Sequence, residues 1–231
     1  MQNGVLPEEE ARHCIRVLRK KVGDEIMAVD GRGNRYTCRL ISDNVNKAEV
    51  EVTDSRQIES HWHPSIELAV APTKNHDRME WLLEKVTEMG IDRFTPLKCD
   101  HSERKNVNLS RLNKIAVSAM KQSLKAALPV IDDITPIKDY VTEPFAGEKF
   151  ICYCDENTPR VSILNEEFSH KPVRILIGPE GDFSPEEVRL AIENGYKPVN
   201  LGESRLRTET AALVAVADAH AIRRMRTDKM K

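Results

Sequence analysis

The sequence predicts an α/β protein: a mostly parallel sheet with helices on both faces, preceded by a small β-barrel. Three observations carry this expectation. Residues 23–53 alternate polar and apolar side chains in short runs, as antiparallel strands with one wet face do. From Ser65 onward the runs IELAVAP, FTPLKC, KFICYC, VRILIG and PVNLG are mainly apolar, and stretches of helical period separate them. That grammar belongs to βα units and a parallel sheet. The expected division is residues 1–70 for the barrel and 71–231 for the α/β domain.

In chain order, Pro7-Glu8-Glu9-Glu10 opens a helix that places Cys14, Ile15 and Leu18 on one face, with Arg12, Arg16, Arg19, Lys20 and Lys21 opposite. The runs EIMAVD, RYTCRLIS and AEVEVTD follow, the first two joined by a hairpin turn at Asp30-Gly31 and Gly33-Asn34. Met79, Leu82, Leu83, Val86 and Met89 repeat with helical spacing over 76–89, and Gly90 stops that helix. Another helix is expected over about 109–126. Ser184-Pro185-Glu186-Glu187 carries a capping box with proline at the first helical position, and Gly195 ends the helix it opens. The last helix starts near Thr208, with Thr208 as its N-cap.

Composition narrows the function classes. With 31% charged residues and a net charge of −2, the chain has no bulk basicity, so an RNA partner has to be met by local basic patches. No apolar run approaches the roughly 20 residues of a membrane span. The five cysteines are scattered, and the start MQNGVLPEEEARHC is unlike a signal peptide, which together give a cytoplasmic expectation. No metal is expected: His61-Trp62-His63 lacks a third ligand of suitable spacing, and Cys152-x-Cys154 has no second pair and reads as structural thiols. Arg223-Arg224-Met225-Arg226 reads as a solvated helix end.

Two glycine turns mark the candidate site. Gly178-Pro179-Glu180-Gly181 and Leu201-Gly202-Glu203-Ser204 each end a short apolar run, and two strand ends with glycines side by side make a backbone-lined pocket. Neither turn is a P-loop or a GxGxxG loop. Arg205 and Arg207 stand just ahead of a helix N-terminus, where positive charge is unfavourable unless an anionic group comes close. His101-Ser102-Glu103-Arg104-Lys105 and Gln122-Ser123 with Lys121 and Lys125 read first as charged surface.

Taken together these residues resemble the RsmE-type ribosomal RNA uridine-N3 methyltransferases of the SPOUT superfamily. The resemblance rests on His13 with Arg16-Val17-Leu18-Arg19, Gly23-Asp24, Asp30-Gly31, Lys74, Asp77, Met79-Glu80, residues 84–90 (EKVTEMG), Ser102-Glu103-Arg104, Gln122-Ser123 and Pro129. Its most specific blocks are Ile177-Gly178-Pro179-Glu180-Gly181 with Phe183-Ser184, then Leu201-Gly202 with Leu206-Arg207-Thr208-Glu209-Thr210-Ala211. Ribose methyltransferases of the superfamily carry Ser-Leu-Asn where this chain has LRTETA, which argues against 2′-O transfer. The chain departs from the pattern at Lys121 and Ala127, where relatives often have glutamate and arginine, and residues 1–4 hold little of an opening strand that relatives carry.

The resemblance implies a PUA-like RNA-binding barrel, a trefoil-knotted SPOUT domain, a homodimer, and S-adenosylmethionine as methyl donor to N3 of a uridine in 16S ribosomal RNA. It implies cofactor contacts at Leu176, Ile177, Gly178, Pro179, Glu180, Gly181, Leu201, Gly202, Leu206, Thr208 and Ala211. Arg207 and Arg104 become candidates to stabilise the uracil anion, the latter from a partner subunit or its own. Glu180 and Glu209 become candidate bases. Arg12, Arg16, Arg19, Arg32, Arg35, Lys74, Gln122 and Lys125 become RNA contacts. The alternatives are a catalytically silent RNA-binding or ribosome-assembly protein of the same fold, and a methyltransferase acting on another RNA.

Overall fold

The computed structural model describes residues 4–153, 161–168 and 170–227, with side chains to Met225. Cys154 and the side chain of Arg226 lie outside the described residues. The chain forms two compact units, Met1–Ser60 with Leu124–Leu128, and His61–Ser123 with Pro129–Lys231.

In the first unit, α1 (Glu8–Arg12) runs into a wide π turn, His13–Val17. Three strands follow, β1 (Glu25–Val29), β2 (Asn34–Ser42) and β3 (Glu49–Gln57), antiparallel in the order β1-β2-β3. The residues ahead of α1 add to this sheet: Val5 bridges Glu49, and the Leu6 amide donates to Ala48 at 2.9 Å. Leu6, Ala11, Cys14, Cys38, Leu40, Ala48 and Val50 form the core. Leu18, expected on the face of Cys14 and Ile15, is instead 55% exposed. The π turn is the reason: the Leu18 amide reaches back five residues to His13, so the apolar face loses phase.

The expected hairpin turn is built around Asp30. Its carboxylate accepts the amides of Arg32 (2.8 Å) and Asn34 (3.1 Å), the Asn34 side-chain amide (2.7 Å) and the Tyr36 hydroxyl (3.2 Å). Burial pushes this carboxyl up, but those donors outweigh it and hold its pKa down at about 2. The turn also receives a distant segment. Gly33 donates to the Ala126 carbonyl, and Leu128 donates to that of Gly31. The helix expected over 109–126 therefore stops at Gln122. Ser123 turns its hydroxyl back onto the Ala119 carbonyl at 2.7 Å, Leu124 takes φ +56°, and residues 124–128 join the first unit.

The second unit is a sheet with helices. Its elements are β4 (Ile66–Val70), α2 (His76–Met89), β5 (Arg93–Lys98), α3 (Leu109–Gln122), β6 (Val130–Ile131), β7 (Thr135–Pro136), α4 (Ile137–Thr142) and β8 (Glu148–Cys152). Then come β9 (Val161–Ser162), β10 (Val173–Ile177), α5 (Pro185–Glu193), β11 (Lys197–Asn200) and α6 (Thr208–Thr227). The strand order is β6-β5-β4-β10-β8-β11-β9, with β7 beside β5. Every pairing described in this sheet is parallel. Because β4 pairs with β5 and β10, the units part at Ser60/His61 and not after residue 70.

All five residues of β10 are buried, as a central parallel strand requires. Ala69, Leu97, Ile151 and Leu176 face α4 and α5 through Tyr140, Val141 and Ala191. Their sequence neighbours point to the other face, where α6 meets β4 and β10 and also packs on α2. Helices thus cover both faces. Trp62 is a buried anchor: its indole donates to Asp92 (2.9 Å), and its carbonyl receives Arg223. A Cβ at Gly90 would lie 2.4 Å from that indole, so glycine is required where φ is +109°. Among the described residues no group of three or more His, Cys, Asp or Glu could hold a metal ion, and no helix is long and apolar enough to cross a membrane.

Charges line the opposite end of the sheet from the glycine turns. The Arg174 guanidinium, 3% exposed, pairs with Glu67 at 2.8 Å and lies 4.5 Å from the ring centroids of both Tyr140 and Phe145. Arg93 grips Asp132, just past β6, at 2.6 and 3.2 Å. Removing one partner of a buried pair strands the other, so Arg174→Ala is expected to cost about 3–5 kcal/mol in urea unfolding, whereas Arg174→Met with Glu67→Leu recovers most of that loss.

The Asp30 turn gives a pH prediction for the first unit. Its folded pKa is depressed, so its contribution to stability is present above the ordinary carboxyl range near 4 and is lost as pH falls through about 2. The Arg32 amide resonance of the full chain should titrate in that window, and should not do so in Asp30→Asn.

Candidate active site

Because the strands are parallel, the carboxyl ends of β4, β5, β10, β8 and β11 open on one edge, where α/β sheets bind ligands. Both glycine turns lie there. They are not side by side: β8 runs between β10 and β11, with Cys152 in register with Ile177 on one side and Val199 on the other. The pocket expected between adjacent strand ends therefore spans three strands. Nothing local to either turn signals an intervening strand that arrives from elsewhere in the chain.

The first turn is tightly folded. Leu176, Ile177, Gly178 and Pro179 are buried, while Glu180 and Gly181 are exposed. Asp182 takes φ +62° and donates its amide to the Pro179 carbonyl at 2.9 Å. A Cβ at Gly178 would press on the Phe183 ring at 3.1 Å, and one at Gly181 on the His101 Cβ at 3.2 Å. Then the capping box closes as expected: the Glu187 amide donates to Ser184 Oγ, and the Ser184 amide to Glu187 Oε2.

In the second turn Gly202 takes φ +107°, with open space where a Cβ would stand. Leu201 and Leu206 are half-buried, and Arg205 and Arg207 are exposed. The Ala211 amide donates to the Arg207 carbonyl at 2.7 Å, so the cap position falls on Arg207. Thr208, expected as the cap, is instead the buried first residue of α6. Ala211 is half-buried one turn on. Glu209 is buried, with Arg78 at 3.6 Å from one of its oxygens.

The loop after β5 is more than charged surface. The Asp100 amide donates to Glu187 Oε1 at 2.8 Å, and Ser184 Oγ donates to Asp100 at 2.9 Å. The Cys99 amide donates to Ser102 Oγ at 3.0 Å. Arg104, half-buried, donates to the Lys74 carbonyl at 2.7 Å and also contacts His76 Nε2. The Lys74 amide donates in turn to Glu180 Oε1 at 3.0 Å. Lys74 Nζ pairs with Glu103 at 2.7 Å; that bond raises its pKa, and Glu180 adds to the effect. Burial pushes the Cys99 thiol up, and the neighbouring Glu187 charge pushes it further, so this cysteine is an inert wall.

Three loops are thus joined in a ring that contains Glu180, Arg104 and Lys74. Sequence reasoning names those three residues but misses Asp100, His101 and the second task of Glu187. A carboxylate already accounted for as a helix cap gives no signal that its other oxygen holds a distant loop.

The expected RNA contacts are distributed over both units. In the first, Arg16, Arg19 and Arg32 are exposed, Arg12 pairs with Glu8 one turn earlier, and Arg35 donates to the Leu124 carbonyl at 3.4 Å. Lys125 lies in the 124–128 segment of that unit. Gln122 is exposed at the end of α3 in the second unit.

Comparisons with known proteins show the family. An RNA methyltransferase domain matches residues 61–220, and an RNA methyltransferase PUA domain matches 6–53. Ribosomal RNA small subunit methyltransferase E of Synechocystis is 31% identical over 94% of this chain and 72% of that protein. A probable rRNA-methyltransferase from Porphyromonas gingivalis superposes with a TM-score of 0.93 at 42% identity, covering 97% of this chain and 95% of that one. Ribosomal RNA small subunit methyltransferase E from Neisseria gonorrhoeae, solved bound to S-adenosyl methionine, gives 0.85 at 26% identity over 96% and 94% of the two chains. The chain belongs to the RNA methyltransferase family, among the ribosomal RNA small subunit methyltransferases E.

Proposed function

We propose that this protein transfers a methyl group from S-adenosylmethionine to N3 of a uridine in 16S ribosomal RNA, as a cytoplasmic homodimer with a knotted cofactor loop. The observation that carries this reading is the convergence of turn 178–181, turn 201–207 and the Arg104 loop on the carboxyl edge of one parallel sheet, in a chain of this family. The residues suit the cofactor. The turns present backbone rather than phosphate-binding side chains, and the empty space beside Gly202 lets a ligand approach its main chain.

Leu176, Ile177, Gly178, Pro179, Gly181, Leu201, Gly202, Leu206, Thr208 and Ala211 would hold the cofactor, which supplies a methyl group already activated on a sulfonium. The apolar members exclude water. Glu180 fixes the β4 loop through the Lys74 amide, which keeps Arg104 aligned. The protein's remaining tasks are to position the base and to stabilise the charge that develops on uracil O2 and O4 when N3 loses its proton. Arg207 and Arg104 are the cations for this. Arg12, Arg16, Arg19, Arg32, Arg35, Lys74, Gln122 and Lys125 orient the RNA through its backbone.

A thermal shift is the direct test of the cofactor. S-adenosylmethionine at about 100 times its dissociation constant should add about 2.7 kcal/mol of stability, with no shift from NAD or ATP. No shift would support a silent RNA-binding protein instead. Primer extension on treated 16S RNA should stop at the modified uridine, because N3 methylation blocks base pairing. Arg207→Ala should keep cofactor affinity within about threefold while slowing transfer by about 100-fold, in line with loss of a single donor to a developing oxyanion. Full activity in that variant removes Arg207 from the mechanism.

A further inference from the structure

We propose, building on the methyltransferase reading above, that His101 takes the N3 proton of the target uracil. His101 is exposed at the carboxyl end of β5, beside the first glycine turn. Its Nδ1 lies 3.0 Å from the Gly181 carbonyl oxygen and 3.0 Å from that of Asp182. Carbonyl oxygens only accept, so Nδ1 carries the hydrogen and shares it between them. In the neutral ring this leaves the lone pair on Nε2. Tethering one ring nitrogen to backbone carbonyls, so that the other becomes the basic one, is how imidazole is oriented for proton transfer.

The ring is held from its other end as well. The Asp100 amide is fixed to Glu187, the Cys99 amide to Ser102, and the His101 Cβ lies against Gly181, where a side chain would be 3.2 Å away. The two carboxylates that the sequence offers are worse placed for the task. Glu180 Oε1 already accepts the Lys74 amide, and Glu209 is buried, with Arg78 near one oxygen and the other oxygen enclosed without a partner.

In the reaction the N3–H bond breaks as the N3–methyl bond forms. The proton goes to His101 Nε2, the methyl–sulfur bond breaks with its electron pair left on sulfur, and the imidazolium then sheds its proton to water. The positive charge of the sulfonium thus ends on the proton that is released.

The test uses the full chain with 16S ribosomal RNA and two variants. Asparagine places its side-chain NH2 where Nδ1 stands, so His101→Asn keeps a donor to both carbonyls and lacks Nε2. It should melt like the wild type and bind S-adenosylmethionine within about threefold by calorimetry, yet lose about 100-fold or more in single-turnover rate. His101→Ala should lose rate likewise and regain part of it with added imidazole. In the wild type, 15N NMR should show a protonated Nδ1 and a bare Nε2. A His101→Asn variant that transfers at the wild-type rate, or a ring protonated on Nε2 alone, overturns the assignment. Wild-type protein that binds cofactor but never methylates the RNA overturns the methyltransferase reading itself, a separate result.

Discussion

The Glu187 carboxylate is the joint on which the candidate site depends. It is 1% exposed, and enclosing a carboxylate costs several kcal/mol unless donors replace its water. Two backbone amides do so, Ser184 on its own helix and Asp100 on the loop after β5, both at 2.8 Å. The Ser184 hydroxyl, close to the Glu187 amide, donates to the Asp100 side chain. A helix cap and a loop anchor are therefore one interaction. From it the chain of contacts runs through His101 to the first glycine turn, through Arg104 to the β4 loop, and through Lys74 back to Glu180. Four groups that come from distant parts of the sequence are held in a closed path of contacts.

Such a ring needs a stiff base, and the sheet supplies it at its opposite end. There Arg174, Glu67, Arg93 and Asp132 form a layer of ion pairs, and the remaining residues of β4 and β10 are buried and apolar. The two ends divide the labour. At one end charges pair across strands, while the other leaves backbone and cations facing outward.

Much of this was legible in the sequence because it is written in local chemistry. The capping box at Ser184, the stop at Gly90 and the Asp30 hairpin each need only a few consecutive residues, and each is present as expected. What escaped is set by contacts between distant segments. The helical pattern runs on to about residue 126, but residues 124–128 leave the helix, and the Asp30 turn offers them backbone partners. The separation of β10 from β11 by β8 is a matter of topology, invisible to periodicity. Leu18 was misplaced by a π turn, whose extra residue per closure has no compositional mark. At the site, residue types pointed to Arg104, Arg207 and the glycines, whereas the His101 tautomer followed only from two carbonyls about 80 positions away.

Under the proposed mechanism, Arg207 turns an unfavourable feature to use. It occupies the cap position of a twenty-residue helix, where the dipole is positive and a cation costs about 0.3–1 kcal/mol. Among the described residues no carboxylate pairs with it, and Glu209, the acid of that first turn, faces Arg78 instead. The conflict is left standing in the free protein. In the reaction proposed above it is relieved from outside, because a uracil losing its N3 proton would bring negative charge late, as the methyl group moves. A cation poorly satisfied before the reaction and well satisfied during it favours the transition state over the ground state, and only an imbalance of that sign raises the rate of the bound complex. A neighbouring carboxylate would stabilise α6 and cancel the effect.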